Sequence, residues 1–510
     1  MALNLNQTLQ NKYQHLEISV LKMSEVKENK DFRIDDAFHT IKIFRNPNLE
    51  YKNIGSCLLN SQYGISINMN EDKIGVPIYR MNEIENMICK SEVSKYAEIT
   101  NEEFNTFKLN DGDVLFNRTN SYEFVGRTGI FYKQDKDFVF ASYLVRLVVD
   151  KKIILPEYLT VFLNTKIGQN EIKRRARQSI NQTNVNPEEV KQIKIPLFPL
   201  SFQQQIEQMV RQSHECLEQS KDLYRQAEVL LYEELGLNPQ NPLSSVIARN
   251  EVTKQSREKN EKFETSKTTN AVLDCHDFAT QSLAMTNKYA HLNISVRPLS
   301  QSLNATGRLD SEYYQQKYDE IEKVIKNYRG GYFQLSLSEL RDKNFTPQAQ
   351  TKYRYIELAN IGTNGNISEP IVDFGENLPS RARRIVKTGD MIMSSVEGSL
   401  QSCALITDEF DNCIVSTGFY VLNSVNLNSE TFLVLFKSAF FQEYLHKFPS
   451  GTILTAISKD ELRNIIIPKI NLQIQTQIAE KIKQSFALRV RANELLQSAK
   501  TKVETAIEQA

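Results

Sequence analysis

The chain has 510 residues, about three times the length of an ordinary domain, so we expect more than one hydrophobic core. A hydrophobic fraction of 40%, a charged fraction of 24% and a mean hydropathy of -0.43 are typical of soluble globular domains and argue against extensive disorder. The 62 basic and 62 acidic residues cancel, which disfavours a general polyanion binder, so a nucleic-acid contact would need basic residues gathered locally.

Membrane and metal proteins are also disfavoured. No apolar stretch approaches the roughly 20 residues of a membrane-spanning helix, and the first residues lack a signal-peptide pattern, so we expect a cytoplasmic protein. The six cysteines include no Cys-x-x-Cys pair, and no two histidines have ligand spacing on a helix. We therefore expect no metal site.

The sequence contains one module twice. The segment 11–20, Asn-Lys-Tyr-Gln-His-Leu-Glu-Ile-Ser-Val, recurs at 287–296 as Asn-Lys-Tyr-Ala-His-Leu-Asn-Ile-Ser-Val. Further matches follow in the same order: Arg33-Ile-Asp35 with Arg308-Leu-Asp310, Gly112-Asp113 with Gly389-Asp390, and Ile193-Lys-Ile-Pro196 with Ile465-Ile-Ile-Pro468. The offset of about 275 residues is far too long for a solenoid, so the pattern indicates two copies of one domain.

Each copy mixes strand and helix patterns. Short runs such as 139–149 and 414–422 are rich in β-branched and aromatic residues and are bounded by Gly, Asp and Asn, which predicts strands and turns. The segments 157–164 and 431–446 have helical spacing of apolar residues. Each copy is therefore predicted to be an α+β domain of roughly 170 residues.

A long helix is predicted after each Ile-x-Ile-Pro. The a and d positions of a coiled-coil seam step by four and three residues through Ile206, Val210, Ser213, Leu217, Ser220, Tyr224, Ala227 and Leu231, and through Ile478, Ile482, Ser485, Arg489, Ala492, Leu496, Ala499 and Val503. One column is large and the other small, so we predict that the two helices pair closely and antiparallel, about a pseudo-twofold axis. The first helix would span roughly 50 Å.

The residues between the copies behave differently. Residues 237–286 carry turn-forming and polar residues with little periodicity, which predicts a mobile connector. The connector contains Cys275-His276-Asp277, which could form a catalytic dyad but is more simply an incidental triplet, because a nucleophile needs a fixed base and a walled pocket.

No catalytic motif is found in the sequence. There is no Gly-x-Gly-x-x-Gly after a strand, no Gly-x-x-x-x-Gly-Lys-Ser/Thr loop and no His-x-Glu with Pro-Cys-x-x-Cys. The Asn-Pro-Pro-Tyr type of motif expected in adenine methyltransferases is missing, since each Asn-Pro pair lacks the second proline and the aromatic residue. We therefore expect a binding protein with no catalytic residues.

The layout resembles the specificity subunits of type I restriction-modification systems over nearly the whole chain except the connector. The resemblance is carried by Gly112-Asp113-Val-Leu-Phe, Gly389-Asp390-Met-Ile-Met and the closing segments 195–206 and 467–478. The family's usual closing form is Ile-Pro-x-Pro-x-Leu followed by a Gln that opens a helix. The first copy keeps both prolines, but the second has Asn471 in place of its second proline, which leaves that turn less rigid.

The resemblance implies two target-recognition domains, at residues 1–200 and 287–470, with spacer helices at 201–236 and 471–510. Each domain would read one half of a bipartite target in double-stranded DNA, and the helices would fix the gap between the halves. It also implies that two DNA methyltransferase subunits dock on the chain and that restriction/translocase subunits join later. S-adenosylmethionine, ATP and Mg would then bind to the partners, and no cofactor to this chain.

Base readout needs hydrogen-bonding side chains at loop tips, and phosphate contacts need basic ones. In the first copy a polar stretch and a basic run that precedes a second polar loop supply candidates: Asn117, Arg118, Thr119, Asn120, Arg174, Arg175, Arg177, Asn181, Gln182 and Thr183. The candidates in the second copy are Arg381, Arg383, Arg384, Ser395, Ser399, Gln401 and Thr452. A plain polar loop is the alternative for the stretch around Arg118, and a solvated helix face is the alternative for the basic run.

Two further sets of residues are relevant to DNA contact. We align Ser450-Gly451-Thr452 with Gln178-Ser179-Ile180, so that the side chains differ while the frame repeats. Tyr63, Tyr122 and Tyr353 could stack on DNA or be ordinary core or surface tyrosines. The alternative function is a non-catalytic structural adaptor with two protein- or carbohydrate-binding domains on a helical scaffold, and the salt dependence of binding separates it from a DNA reader.

Overall fold

The structure is a computed structural model that describes residues 2–16, 18, 20–28, 32–180, 182–244, 298–300, 307–335, 340–341, 343–451 and 455–510. Most of the predicted connector, with its Cys275-His276-Asp277 triplet, lies outside the described residues. The chain divides into a first unit, Met1–Glu218 with Leu488–Ala510, and a second unit, Gln219–Ala487. Both mix helices and strands, which confirms the predicted α+β class. Among the described residues, no helix is both long and apolar enough to span a membrane.

The first unit contains most of the strands found among the described residues. Its strands are β1 (Tyr51–Asn53), β2 (Leu58–Tyr63), β3 (Val76–Tyr79), β4 (Ile84–Glu85), β5 (Ile88–Cys89), β6 (Tyr96–Ala97), β7 (Val114–Asn117), β8 (Thr119–Asn120), β9 (Thr128–Ile130), β10 (Val139–Phe140), β11 (Leu144–Val149), β12 (Arg177–Gln178), β13 (Thr183–Asn184) and β14 (Lys194–Pro196). Its helices are α1 (Ala2–Lys12), α2 (Met23–Glu28), α3 (Asp36–Thr40), α4 (Asn101–Phe107), α5 (Pro156–Asn164), α6 (Lys166–Arg175), α7 (Pro187–Val190) and the first part of α8 (Leu200–Glu234).

A six-stranded mixed sheet in the order β2-β11-β7-β9-β5-β4 forms the centre of the first unit. Strands β7 and β11 pair antiparallel and are almost wholly buried, which explains their apolar sequences. Tyr158 and Phe162 of α5 pack on this sheet in one core, and each such side chain stabilises the unit by roughly 2 kcal/mol. The unit also contains three smaller sheets, with the orders β1-β14, β10-β3-β6 and β12-β13-β8.

The second unit also combines short sheets with helices. Its strands are β15 (Tyr332–Gln334), β16 (Lys352–Ile356), β17 (Ile371–Phe374), β18 (Ala382–Ile385), β19 (Met391–Ser394), β20 (Cys403–Leu405), β21 (Ile414–Ser416), β22 (Phe419–Leu422) and β23 (Ile466–Pro468). Its helices are α9 (Gln316–Lys326), α10 (Ser429–Lys437), α11 (Ala439–Leu445), α12 (Lys459–Leu462) and the first part of α13 (Leu472–Gln509). The sheets have the orders β15-β23, β17-β16-β21-β18 and β20-β19-β22.

The Gly-Asp motif forms the same turn in both units. Gly112 and Gly389 have φ of 86° and 85°, values that suit glycine because a Cβ makes them strained. The carboxylate of Asp113 accepts from the backbone N of Asn110 at 2.9 Å, and Asp390 accepts from Lys387 in the same way at 2.8 Å. The motif therefore sets the turns that lead into β7 and β19.

A buried glutamine at the start of each long helix fastens that helix to its domain. Gln203 accepts from the backbone N of Leu155 at 2.8 Å and donates to the carbonyl of Phe198 at 2.8 Å. Gln475 accepts from Asn428 N at 2.8 Å and donates to the carbonyl of Ile470 at 2.8 Å. The glutamine of the closing motif thus joins the turn before the helix to the loop before α5 or α10.

The two long helices pack against each other within each unit. In the first unit Lys502 donates to Gln205 at 2.6 Å. In the second unit Ser485 donates to the carbonyl of Ser220 at 2.8 Å and Lys481 donates to Gln226 at 2.6 Å, so these segments run antiparallel. Fourteen of the sixteen seam positions are buried: Ile206, Val210, Ser213, Ser220, Tyr224, Ala227, Leu231, Ile478, Ile482, Ser485, Ala492, Leu496, Ala499 and Val503.

Candidate nucleic-acid interface

A small sheet brings together the two polar segments of the first copy. In the order β12-β13-β8, Asn184 of the central strand pairs with Arg177 on one side and with Thr119 on the other. The adjacent residues of the three strands pair in the same way. We call these three strands the first hairpin sheet. It places the segment after β7 beside the segment after α6, as a shared binding surface requires.

Three of the predicted residues in or next to this sheet are buried and shape it: Thr119 and Thr183 lie in its strands, and Asn117 is the last residue of β7. Asn117 is fully buried, and its Oδ1 accepts from the backbone N of Thr119 at 3.3 Å. The Thr119 hydroxyl donates to Oδ1 of Asn184 at 2.6 Å, and Thr183 is also buried. These side chains stabilise the sheet and do not project into solvent.

The hairpin tip between β12 and β13 is exposed. Gln182 is exposed and Asn120 is half-buried, so both present hydrogen-bonding groups at the surface. The backbone carbonyl of Gln182 accepts from the N and the hydroxyl of Ser179, each at 2.9 Å, which closes the tip. Asn181 lies outside the described residues, so its predicted role stays a prediction.

Arg118 is held in place by the sheet backbone and by an aromatic ring. Its backbone N donates to the carbonyl of Tyr143 at 3.0 Å, and its carbonyl accepts from the N of Val185 at 2.9 Å. The guanidinium carbon lies 5.1 Å from the centre of the Tyr63 ring, a cation–π distance. Nη1 donates to the carbonyl of Ser142 over 3.4 Å, and Nε is buried without a hydrogen-bond partner among the described residues.

The basic run at the end of α6 is mostly used within the fold. Arg174 lies over the Phe38 ring at 4.4 Å and donates to the carbonyl of Phe38, and burial lowers the pKa of its guanidinium. Arg175 is only 7% exposed and forms an ion pair with Glu171. The Arg175 guanidinium is therefore used within the fold, which argues against the predicted phosphate contact.

Lys173, in the same run, has a structural role that the sequence did not reveal. Its ammonium group donates to the carbonyls of Glu123 at 3.1 Å and Val125 at 3.0 Å, and it lies over the ring of Tyr122. Burial lowers the pKa of Lys173 to about 8. Lys173 thus braces the loop that follows β8.

Arg177 belongs to an ion-pair network that begins at the Arg-x-Asp motif. The buried Arg33 donates to Glu189 at 2.9 Å and to the carbonyl of Arg175 at 2.9 Å, and it pairs with Asp35 at 2.6 Å. Arg177, whose side chain is 51% exposed, pairs with the other oxygen of Glu189 at 3.1 Å. Arg177 is therefore anchored but remains accessible.

The second unit has the same kind of ion-pair network at its Arg-x-Asp motif. Arg308 donates to the carbonyls of Phe448 and Pro449 at 2.9 Å each, pairs with Asp310 at 2.6 Å and lies 3.6 Å from Glu461. Phe448 thus stands where the first unit has Arg175, and Pro449 where it has Ala176. By this correspondence Ser450 matches Arg177.

The backbone pairing of Ser450 and Ala456 agrees with that match. Ala456 forms bridges with both Val396 and Ser450, as Asn184 does with its two neighbours in the first unit. The predicted alignment of Ser450 with Gln178 is therefore wrong by one residue. Helix α6 continues to Arg175, whereas α11 ends at Leu445, three residues before Phe448, so the two helix ends do not give a common register. Thr452 lies outside the described residues.

Ser395 stands at the backbone position of Arg118. Its N donates to the carbonyl of Gly418 at 2.9 Å, and its carbonyl accepts from the N of Ile457 at 2.8 Å, the same two bonds that Arg118 makes. The Ser395 hydroxyl turns back to the carbonyl of Gly418 at 2.9 Å. The two units therefore share these backbone hydrogen bonds, but the side chain at this position is arginine in the first unit and serine in the second.

The other predicted residues of the second unit differ in accessibility. Arg381 and Gln401 are exposed, and Arg383 is half-buried with its Nε donating to the carbonyl of Ser380 at 2.8 Å. Ser399 is half-buried against the hydroxyl of Ser394 at 2.7 Å. Arg384 is 7% exposed and donates to the carbonyl of Phe419, which argues against its predicted DNA contact.

The three tyrosines also have different surroundings. Tyr63 is 48% exposed beneath Arg118, and Tyr122 is 40% exposed beneath Lys173. Tyr353 packs edge-on against Phe345. Within the described ranges, no group of three or more His, Cys, Asp or Glu side chains could hold a metal ion.

Comparison with known proteins shows which proteins the first part of the chain resembles. Residues 58–228 match the family model described as type I restriction modification DNA specificity domain. The chain is 33% identical over 144 residues to a putative type I restriction enzyme MjaX specificity subunit of Methanocaldococcus jannaschii, covering 28% of this chain and 34% of that one. It is 30% identical over 162 residues to the type I restriction enzyme EcoKI specificity subunit of Escherichia coli, covering 31% and 35%.

This chain thus resembles the specificity subunits of type I restriction-modification systems, and the matched segment spans about a third of each relative's length. A crystal structure of a type I restriction-modification system S subunit from M. genitalium aligns with 91% of this chain and 96% of its own at 12% identity. Its TM-score is 0.37, which is too low to establish a shared fold.

Proposed function

We propose that this chain is the non-catalytic DNA-specificity subunit of a type I restriction-modification complex, in which each repeat reads one half of a bipartite duplex target. One observation carries the proposal: the two repeats share a backbone frame around the hairpin but differ in the side chains that the frame presents. Arg118 corresponds to Ser395, and Arg177 corresponds to Ser450. A pair of domains that read different base sequences requires this combination.

The chemistry of the exposed side chains suits a DNA groove. In the first repeat Arg118, Asn120, Arg177 and Gln182 are at least partly accessible around the hairpin sheet. Arginine pairs with guanine and asparagine or glutamine with adenine, whereas basic side chains also contact phosphates. In the second repeat Arg381, Arg383, Ser395, Ser399 and Gln401 form the corresponding candidate set.

The partners follow from the same proposal. The paired long helices are proposed to form the antiparallel coiled-coil spacer that separates two target-recognition domains, related by a pseudo-twofold axis. Two methyltransferase subunits would dock on the chain, and restriction/translocase subunits would join them. S-adenosylmethionine, ATP and Mg would bind to those partners, with this chain acting in the cytoplasm without a cofactor of its own.

The test is to map methylated adenines in host DNA with and without the gene for this chain. We expect one bipartite methylation motif to disappear on deletion and to return when the intact gene is supplied. If every motif survives deletion, the chain does not specify a methylation target and the proposal fails.

A second measurement separates a DNA reader from a structural adaptor. The purified complex of this chain with its methyltransferase partners is titrated with a duplex that carries the lost motif, at several salt concentrations. The affinity of a reader falls steeply with salt, because each phosphate contact releases counterions. Binding that is insensitive to salt and to the motif would favour the adaptor.

A further inference from the structure

We infer that Arg118, positioned by Tyr63, determines specificity by reading a guanine in the half-site of the first repeat, and that the second repeat lacks this reader. The inference rests on the proposed function and goes further by naming the base, the residue and the residue that positions it. It is carried by the placement of the Arg118 side chain and by its counterpart Ser395.

The first step concerns which arginine is free to bind. Successive residues of an extended chain point to opposite faces, so Arg118 points away from Thr119, Asn184 and Arg177. Arg177 is held by the carboxylate of Glu189 at 3.1 Å. Arg118 makes one long hydrogen bond, of 3.4 Å to Ser142, within the described part of the chain. Because Nε is buried, the two terminal nitrogens of the guanidinium are the donors that remain for a ligand.

The second step concerns orientation. A guanidinium that reads a base must present its planar fork at a fixed angle, whereas a phosphate contact tolerates a mobile side chain. The Tyr63 ring lies 5.1 Å from the guanidinium carbon and is itself 48% exposed, so ring and guanidinium share one surface. Tyr63 is thus a positioning residue for Arg118.

The third step concerns the base. Guanine presents two acceptors, O6 and N7, side by side in the major groove, and the arginine fork matches them with two parallel hydrogen bonds. In the second repeat the short Ser395 side chain turns back to Gly418 at 2.9 Å. The second half-site must therefore be read by other side chains.

The test uses the complex with its methyltransferase partners and a series of duplexes in which each base pair of the bipartite motif is replaced in turn. Wild type should discriminate at every specified position. Arg118→Ser should lose discrimination at a single G·C pair in one half-site, by roughly 5- to 150-fold, and keep it elsewhere. Discrimination retained at the other base pairs of the same half-site shows that the first unit of the variant has folded.

Conservative variants distinguish a reader from a phosphate contact. Arg118→Lys keeps the charge but loses the fork, so it should lose discrimination with an unchanged salt dependence. If Arg118 only contacts a phosphate, Arg118→Ser will weaken binding to all duplexes equally and Arg118→Lys will restore it, which overturns the inference. For Tyr63, Tyr63→Phe should preserve discrimination and Tyr63→Leu should reduce it at the same base pair.

The matched control is Lys136→Ser, which removes an exposed positive charge from a turn of the same repeat. It should leave discrimination unchanged. If Arg118→Ser behaves like this control while wild type still reads the motif, the role of Arg118 is wrong but the proposed function stands. If wild type itself shows no motif preference, the proposed function fails.

Discussion

Two buried glutamines connect the long helices to the domains that they follow. Gln203 is fully buried, and its side-chain amide both accepts a hydrogen bond from Leu155 N and donates one to the carbonyl of Phe198. Gln203→Ala would therefore leave Leu155 N without its acceptor. We expect the variant to lose about 2 kcal/mol of stability in the first unit. Thermal unfolding followed by circular dichroism measures the loss. Gln204→Ala, at the exposed neighbouring position, is the control and should behave like wild type.

Asp310 gives the second unit a defined acid sensitivity. The hydrogen bond from Arg308 holds the pKa of Asp310 below its usual value. Because the folded pKa is depressed, the stabilisation is complete above the unfolded pKa of about 3.9 and is lost as pH falls through the folded value. Asp310→Asn should therefore melt below wild type at neutral pH, and the difference should shrink below about pH 4. The exposed Asp72→Asn is the control, and a difference that is constant with pH would contradict this account.

The turns before β7 and β19 are the elements that the Gly-Asp motif builds. Within the described residues a Cβ at Gly389 would meet a single atom within 4 Å, Oγ of Ser429 at 3.8 Å, so its φ of 85° is the main cost of Gly389→Ala. We expect a loss of about 1 kcal/mol, measured by chemical denaturation. Gly398→Ala is matched, because a Cβ there meets no described atom within 4 Å and its φ is not positive. Equal stability of the two variants would contradict a conformational role for Gly389.

The first hairpin sheet shows why very short strands cannot be predicted from sequence patterns. Each of its strands has two residues, too few to display an alternation of apolar and polar side chains. Its central hydrogen bond joins Thr119 to Asn184, 65 residues away. The polar segments were identified from composition, but their side-by-side placement was not.

At the scale of the whole molecule, each long helix contributes residues to both units. Under the proposed function, inserting one heptad after Ser220 and one before Ser485 should lengthen the spacer by roughly 10 Å and keep the seam in phase. The methylation motif should then gain about three base pairs between unchanged half-sites, because DNA rises about 3.4 Å per base pair. Methylated-adenine mapping measures the gap.

The control for this prediction is a heptad in one helix alone. It should abolish methylation, since the two helices would no longer match in length. An unchanged gap in the double insertion would show that the helices do not set the spacing.

The sequence by itself determined the duplicated plan, the mixed helix and sheet class and the positions of the long helices. The duplication is visible because matching motifs occur twice in the same order. The long helices are visible because the residues of a buried seam recur every three to four positions. It also indicated Arg118 as a candidate from its polar neighbourhood.

Tertiary structure alone decided which candidates are accessible. Arg175 and Arg384 look like surface charges in the sequence, yet both are buried and bonded within the fold. The match of Ser450 with Arg177 depends on which carbonyls Arg33 and Arg308 contact, far away along the chain. The physical reason is that burial and partner choice depend on contacts between distant segments, which no local spacing of residues records.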